Sequence, residues 1–287
     1  MGNCCCVGDT SLTKSAVALK FPHGVAGIQY SEDLNHFIHC KDINEWLQSL
    51  YLHSDATKWV LYNDETDDIV EKGHHTKGHY TKGHCKGIVA WSDTSISWLC
   101  HSVPNFPREF TGKTISLIES SELVYGQSFQ YIELPYHNDT LIAIMKQLSI
   151  MQANIYVSNH DLTFQASREH EISTLVLTPT VTHIAKSPHH PIDIYSQHIA
   201  KQYPSTWHVE TWMRGQDHVD TVKDVKLLHY DTVTSQDHSK WAVSATDLYW
   251  VGDLDRTTSH FRRGGGGFLI RHADISLAFR ELIAAAL

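Results

Sequence analysis

Gly83-His84-Cys85-Lys86-Gly87-Ile88 and Asp237-His238-Ser239-Lys240-Trp241 each set a His-x-Lys triplet at the head of a short apolar run, Ile88 to Trp91 in the first case and Trp241 to Ser244 in the second. Extended backbone turns residues i and i+2 to the same face, so each triplet puts an imidazole beside an ammonium group. Such a pair suits a phosphodiester: the Lys neutralises a non-bridging oxygen while the His attacks phosphorus or protonates a leaving oxygen. His84 and His238 are about 154 residues apart, one in each half of the chain. Two similar halves facing each other would set one imidazole on either side of a phosphorus atom, one as nucleophile and one as acid.

Working outward, further strand-type runs occur at Ala16 to Phe21, Trp59 to Tyr62, Trp98 to Val103, Trp207 to Trp212 and Leu248 to Val251. Helix-period segments lie at Ile43 to Leu52, Thr140 to Met151, Pro191 to Gln202 and Ile275 to Leu287. Strands interleaved with helices predict an α/β layered domain. His74 to Gly87 is a local repeat rich in His, Lys and Gly, too short for a solenoid and read as a loop feeding the strand at Ile88. It contains a further triplet, His75/Lys77, which as a lone copy reads as a solvated basic turn. After Arg262-Arg263, the run Gly264 to Gly267 marks a sharp turn or a close backbone approach.

Composition narrows the function classes. The chain has 287 residues, 41% hydrophobic and 19% charged, enough for a sizeable core. No apolar run reaches the roughly 20 residues of a membrane-spanning helix, and residues 1 to 25 lack a secretory signal pattern. Met1-Gly2-Asn3-Cys4-Cys5-Cys6 resembles an acylation site at Gly2 and the cysteines, although Cys6 stands where that motif prefers Ser or Thr. Six Cys, none beyond Cys100, exclude a disulfide-stapled fold. The 23 Lys and Arg against 32 Asp and Glu give −9 at neutral pH, which repels nucleic acid. Charging most of the 22 His near pH 5 would turn that into roughly +12 to +16.

The residues carry a resemblance. Gly83 to Ile88 running on to His101-Ser102-Val103-Pro104-Asn105-Phe106-Pro107 resembles the first signature of the deoxyribonuclease II family, with 17 residues from His84 to His101. Asp237 to Trp241, followed by Val251-Gly252-Asp253-Leu254-Asp255-Arg256 and Arg263-Gly264-Gly265-Gly266, resembles the second. Fainter likenesses follow in order: Ala18 to Pro22, Val60-Leu61-Tyr62-Asn63-Asp64-Glu65, Tyr125-Gly126-Gln127, Ala185-Lys186 and Asp193-Ile194-Tyr195. The resemblance implies a phospholipase D-like pseudodimer, two mixed-sheet α/β halves sharing one central cleft, here expected as residues 1–152 and 153–287. It implies non-specific hydrolysis of double-stranded DNA, best in acid, with no cofactor and no obligatory metal, leaving 3′-phosphates, in a lysosomal or secreted setting.

On that reading His84, Lys86, His238 and Lys240 are catalytic, one His forming a phosphohistidine while the other protonates the 5′ oxygen. His101, Asn105, Asp253, Asp255 and Arg263 are expected to bind the phosphate or support the site. The 17-residue spacing selects His84 over His75. Departures from the pattern are Cys85 for Thr, Ala242 for Cys and Asp255 for Asn. Two rival readings are a metal-binding module built on His74, His79, His84 and Cys85, and a catalytically inactive relative that binds DNA.

Overall fold

A computed structural model describes residues 4–6, 12–64, 83–160, 167, 171–211, 222–225 and 236–286. His74, His75, Lys77 and His79 lie outside the described residues, as does Gly2. One sheet takes β2 (Lys14–Lys20), β3 (Gly27–Ser31), β4 (His36–Cys40), β5 (Lys58–Tyr62), β6 (Gly87–Trp91), β7 (Ser95–His101), β8 (Gln127–Pro135) and β9 (Ile155–Ser158), in the order β4-β3-β2-β8-β7-β6-β5-β9. The other takes β1 (Cys4–Cys6), β10 (Ile172–Val176), β11 (Val181–Lys186), β12 (Trp207–Glu210), β13 (Val222–Asp224), β14 (Trp241–Ser244), β15 (Leu248–Gly252) and β16 (Gly265–Arg271), in the order β1-β10-β11-β16-β15-β14-β12-β13. Among the described residues, every pairing between these strands is antiparallel except β1 with β10 and β12 with β13. The expected α/β class therefore holds.

The centres of the sheets match element for element, β2-β8-β7-β6-β5 against β11-β16-β15-β14-β12. Lys86 immediately precedes β6 and Lys240 immediately precedes β14, so each His-x-Lys leads into the first strand of a hairpin, as the apolar runs indicate. Helices α1 (Ile43–Tyr51), α2 (Asn138–Met151) and α3 (Ala273–Ala286) fall where the 3.6-residue period places them. The segment Pro191 to Gln202 differs: it is a π-helical turn, Tyr195–Ile199, running into one α-turn, Ala200–Gln202.

The sheets meet face to face. Val89, Trp91, Trp98, Ile132 and Leu134 from one pack with Trp241, Val243, Val251, Phe268 and Ile270 from the other, and α2 and α3 add Ile144, Leu148, Ile275 and Phe279 to the same core. Burying this much apolar surface, at about 25 cal/mol per Å², is what fixes the two sheets against each other. The outer face of the first sheet is covered by α1 through Leu47, Leu50 and Tyr51, and that of the second by Ile194, Tyr195 and Ile199. Cys40, Cys85 and Cys100 are buried free thiols, and Cys85 faces the central core while its neighbours His84 and Lys86 face the other way.

The glycine run is a strand. Gly265, Gly266 and Gly267 open β16, the neighbour of β11 and β15 at the middle of its sheet. A Cβ at Gly267 would collide with the Val251 carbonyl and the Trp250 ring, and one at Gly266 with the Ile184 carbonyl and Met151. Close approach is thus the correct half of the sequence reading and the sharp turn is not.

Two lysines end corresponding strands, are buried, and among the described residues give their hydrogen bonds to backbone carbonyls. Lys20, at the end of β2, donates to the carbonyls of Phe21 (2.8 Å), Gly24 (2.9 Å) and Leu123 (2.9 Å). Lys186, at the end of β11, donates to those of Phe261 (2.9 Å) and Arg263 (2.6 Å). Burial lowers each to about 8, so both remain charged below neutrality and hold the loops that lead into β8 and β16. Those loops are the ones that reach across to the opposite half's His-x-Lys.

Candidate active site

Each His-x-Lys is held by the other half. The His84 amide donates to the Gly264 carbonyl just before β16 (2.7 Å), and the His238 amide donates to the Gly126 carbonyl just before β8 (2.9 Å). This reciprocal exchange carries the two triplets to one place. Charge from Lys86 and from His84 reaches His238 there, beside that of its own Lys240 and of Asp255.

Around the first triplet, Asp64 contacts both members: its Oδ2 pairs with His84 Nδ1, and its Oδ1 lies 2.7 Å from Lys86 Nζ. Asp64 follows directly on Asn63, whose amide group donates to the carbonyls of Val103 (3.1 Å) and Phe106 (2.9 Å), fixing the end of β5 against the 101–106 segment. Arg263 comes from the second half, donating to the Gly83 carbonyl (3.1 Å) with its Nη2 3.8 Å from Asp64. Burial raises the proton affinity of Asp64, but Lys86, His84 and Arg263 overcome it and hold the carboxyl well below its usual range. Its charged form is therefore the favoured one.

Around the second triplet, Asp255 is the shared neighbour. Its Oδ1 lies 3.3 Å from Lys240 Nζ, and its Oδ2 lies 2.9 Å from His260 Nδ1 and 3.7 Å from His84 Nε2. The Asp255 backbone is anchored from behind: Tyr195 donates to the Leu254 carbonyl (2.8 Å), and the buried Arg256 pairs with Asp193 (3.0 Å) and with Asp224. Burial opposes ionisation, but Lys240, His260 and His84 hold Asp255 well below the usual carboxylate range. His238 stacks nearly flat on Tyr125, centroids 4.2 Å apart at 15°, and its strand is steadied by the Lys240 amide donating to Ser128 Oγ (3.0 Å) and the Ser239 amide to Asp237 (2.9 Å).

Both imidazoles are pushed toward the neutral form. Burial and then Lys86 lower His84 to about 4, against the opposing pull of Asp64. Burial and then Lys240 lower His238 to about 3, against Asp255.

The remaining expected residues fall into three sets, Asn105 standing by itself. Asp255 and Arg263 stand among the four catalytic candidates. His101 and Asp253 lie deeper. His101 is fully buried edge-on against Phe106 (5.2 Å), its Nδ1 accepting the Val103 amide (3.2 Å) and its own amide donating to the Lys86 carbonyl (3.2 Å). Burial and Lys86 lower it to about 3. Asp253 accepts the Gly266 amide (2.8 Å), and burial raises it to about 7. Asn105 sits at φ 51°, its amide donating to Asn63 Oδ1 (3.3 Å). Three residues with no role assigned from sequence complete the arrangement: Asp64, Tyr125 and His260. The first two lie in quoted stretches of the resemblance, but nothing local marked their partners. His260 packs its ring 4.2 Å from that of His84, and no motif pointed to it.

Comparison with known proteins agrees with the geometry. The family model described as deoxyribonuclease II matches residues 27–286. Cell-death-related nuclease 7 of Caenorhabditis elegans is 28% identical over 259 residues, covering 78% of this chain and 67% of that protein. Deoxyribonuclease-2-beta of Homo sapiens is 28% identical over 284 residues, 83% of this chain and 73% of the relative. Plancitoxin-1 of Acanthaster planci is 26% identical over 264 residues, 78% and 69% respectively. With two His-x-Lys triplets crossed between matching sheets and a family match over nearly the whole length, the chain belongs to the deoxyribonuclease II family.

Proposed function

We propose that this chain hydrolyses DNA phosphodiesters in acid without an obligatory metal, through a phosphohistidine, leaving 3′-phosphate ends. The observation that carries the reading is the pairing of two imidazole and ammonium sets, each anchored by the opposite half, around two buried carboxylates. The halves, residues 1–152 and 153–287, act as a phospholipase D-like pseudodimer with the phosphate between them; β9 and β1 are the strands each sheet takes from beyond its own half.

The environments divide the work. His84 has Asp64 at Nδ1 and Asp255 near Nε2, and carboxylates favour the charged imidazolium. It is the acid. His238, lower at about 3 and clamped on Tyr125, is the neutral nucleophile. A His238 nitrogen forms a bond to phosphorus, the bond from phosphorus to the 5′ oxygen breaks, and the His84 proton passes to that oxygen. The neutral His84 then takes a proton from water, whose oxygen attacks phosphorus and releases His238. Lys86 and Lys240 supply positive charge to the non-bridging oxygens throughout.

The sign of the pH effect follows. A general acid with a free-enzyme pKa near 4 loses its proton as pH rises, while a nucleophile near 3 stays available. kcat/KM should fall about tenfold per pH unit above pH 5. Plasmid digestion across pH 4.5 to 8 in excess EDTA tests the whole reading. Cutting that persists in EDTA and strengthens toward acid is expected; cutting abolished by EDTA and restored by Mg²⁺ would overturn it. Phosphate contacts carry affinity and no base identity, so no sequence preference is expected.

A further inference from the structure

We propose that His84, Asp255 and His260 form a three-ligand site for a borderline transition metal of the Zn²⁺ class, and that its occupancy switches the nuclease off. The proposal rests on the reading of His84 as the acid. It names regulation of that same site.

One nitrogen or oxygen from each of these residues lies within 4.8 Å of the others. Asp255 Oδ2 is 2.9 Å from His260 Nδ1 and 3.7 Å from His84 Nε2. Tetrahedral zinc with bonds of about 2.0 to 2.2 Å sets its ligands roughly 3.4 Å apart, so the two separations bracket what the ion requires. A second observation points the same way. Asp64 pairs with His84 Nδ1, which turns Nε2 toward the cluster; a carboxylate behind a ligating imidazole is the recurrent support of zinc sites. The other Asp255 oxygen lies 3.3 Å from Lys240 Nζ, so it is Oδ2 that faces the two imidazoles.

The charges around the cluster select the metal. Lys86 offsets Asp64 and Lys240 offsets Asp255, so a dication gains little from net charge. Mg²⁺ and Ca²⁺ want several oxygens and find one here, whereas two imidazoles favour Zn²⁺, Cu²⁺ or Ni²⁺. The consequence for activity is direct. A metal on Nε2 of His84 occupies the atom that would carry the transferable proton, and it occupies the space the leaving oxygen would enter. Asp255 supplies the only carboxylate oxygen of the three.

The test titrates Zn²⁺ into the whole 287-residue chain by calorimetry at neutral pH, beside plasmid cutting over the same Zn²⁺ range. The stretch containing His74, His75 and His79 also offers imidazoles, so the informative quantity is the difference between variants. His260→Gln and Asp255→Asn should each remove one binding equivalent and raise the Zn²⁺ concentration for half-inhibition of that variant's own activity at least tenfold. Mg²⁺ at a hundredfold higher concentration should not inhibit. Zinc-edge anomalous scattering from wild-type crystals should place an ion on the three residues, which keeps the proposal testable if a variant misfolds. Unchanged stoichiometry and unchanged half-inhibition in both folded variants, or an anomalous map with no peak there, would overturn it. Loss of cutting in EDTA that Zn²⁺ restores would instead sink the metal-free mechanism and the inhibitory role, while leaving the site.

Discussion

His84→Ala and His238→Ala should each lower plasmid cutting by at least about 10³-fold, measured as initial rates at pH 5 with EDTA present. Neither imidazole is placed to replace the other: one sits between Asp64 and Asp255, while the other stacks on Tyr125 and feels the charge of Lys240. On the proposed mechanism the two act in one step, so the double variant should be little worse than either single one. His75→Ala should stay within about tenfold of wild type, since the 17-residue spacing to His101 selects His84. Equal loss in all three would mean that the first triplet has been placed in the wrong register.

Asp64→Asn should lower kcat by about 10²- to 10⁴-fold with KM within about threefold, because Asp64 acts through His84 rather than on substrate. The carboxylate fixes which ring nitrogen of His84 faces the cleft and favours the imidazolium; an amide does neither. Thymidine 3′-(4-nitrophenyl phosphate) separates this from simple damage. Its leaving group departs without a proton, so Asp64→Asn should release nitrophenolate in its first turnover at close to the wild-type rate. A variant slow on both substrates to the same degree would show that Asp64 does not act through the acid role of His84.

Much of the site was legible because its chemistry is written locally. His84 with Lys86, and His238 with Lys240, are two residues apart, and an alternating backbone puts them side by side whatever the rest of the chain does. The hairpins that follow were equally plain, since Ile88 to Trp91 and Trp241 to Ser244 are short apolar runs buried on both faces. What escaped is long-range. Asp64 meets Lys86 only because β5 and β6 pair, His260 meets Asp255 and His84 only because Lys186 ties down its loop, and Tyr125 meets His238 across the two halves. Strand β16 was misread in part because glycines signal turns locally, whereas here they make room between β11 and β15.

The charge arithmetic needs the same correction. His84, His101, His183 and His238 are lowered to about 4 or 3, burial being the largest cause in each, so these four stay mostly neutral at pH 5. The swing toward positive charge in acid is smaller by about that many units than composition alone implies. His183, stacked on Trp98 and 3.1 Å from Gln147 between the sheets, serves the core and not DNA.

The division of labour between the two imidazoles is tested most directly by giving His84→Ala the thymidine 3′-(4-nitrophenyl phosphate) substrate and following nitrophenolate release. With no acid needed to expel the leaving group, and no base left to activate water, the variant should release about one nitrophenolate per active site in a rapid burst and then stall. Quenched in alkali and digested, it should carry the thymidine 3′-phosphoryl group on His238, and His238→Ala should give neither burst nor adduct. A burst in His238→Ala with the label on His84 would reverse the two roles, and release by either variant with no phosphohistidine would contradict the covalent mechanism.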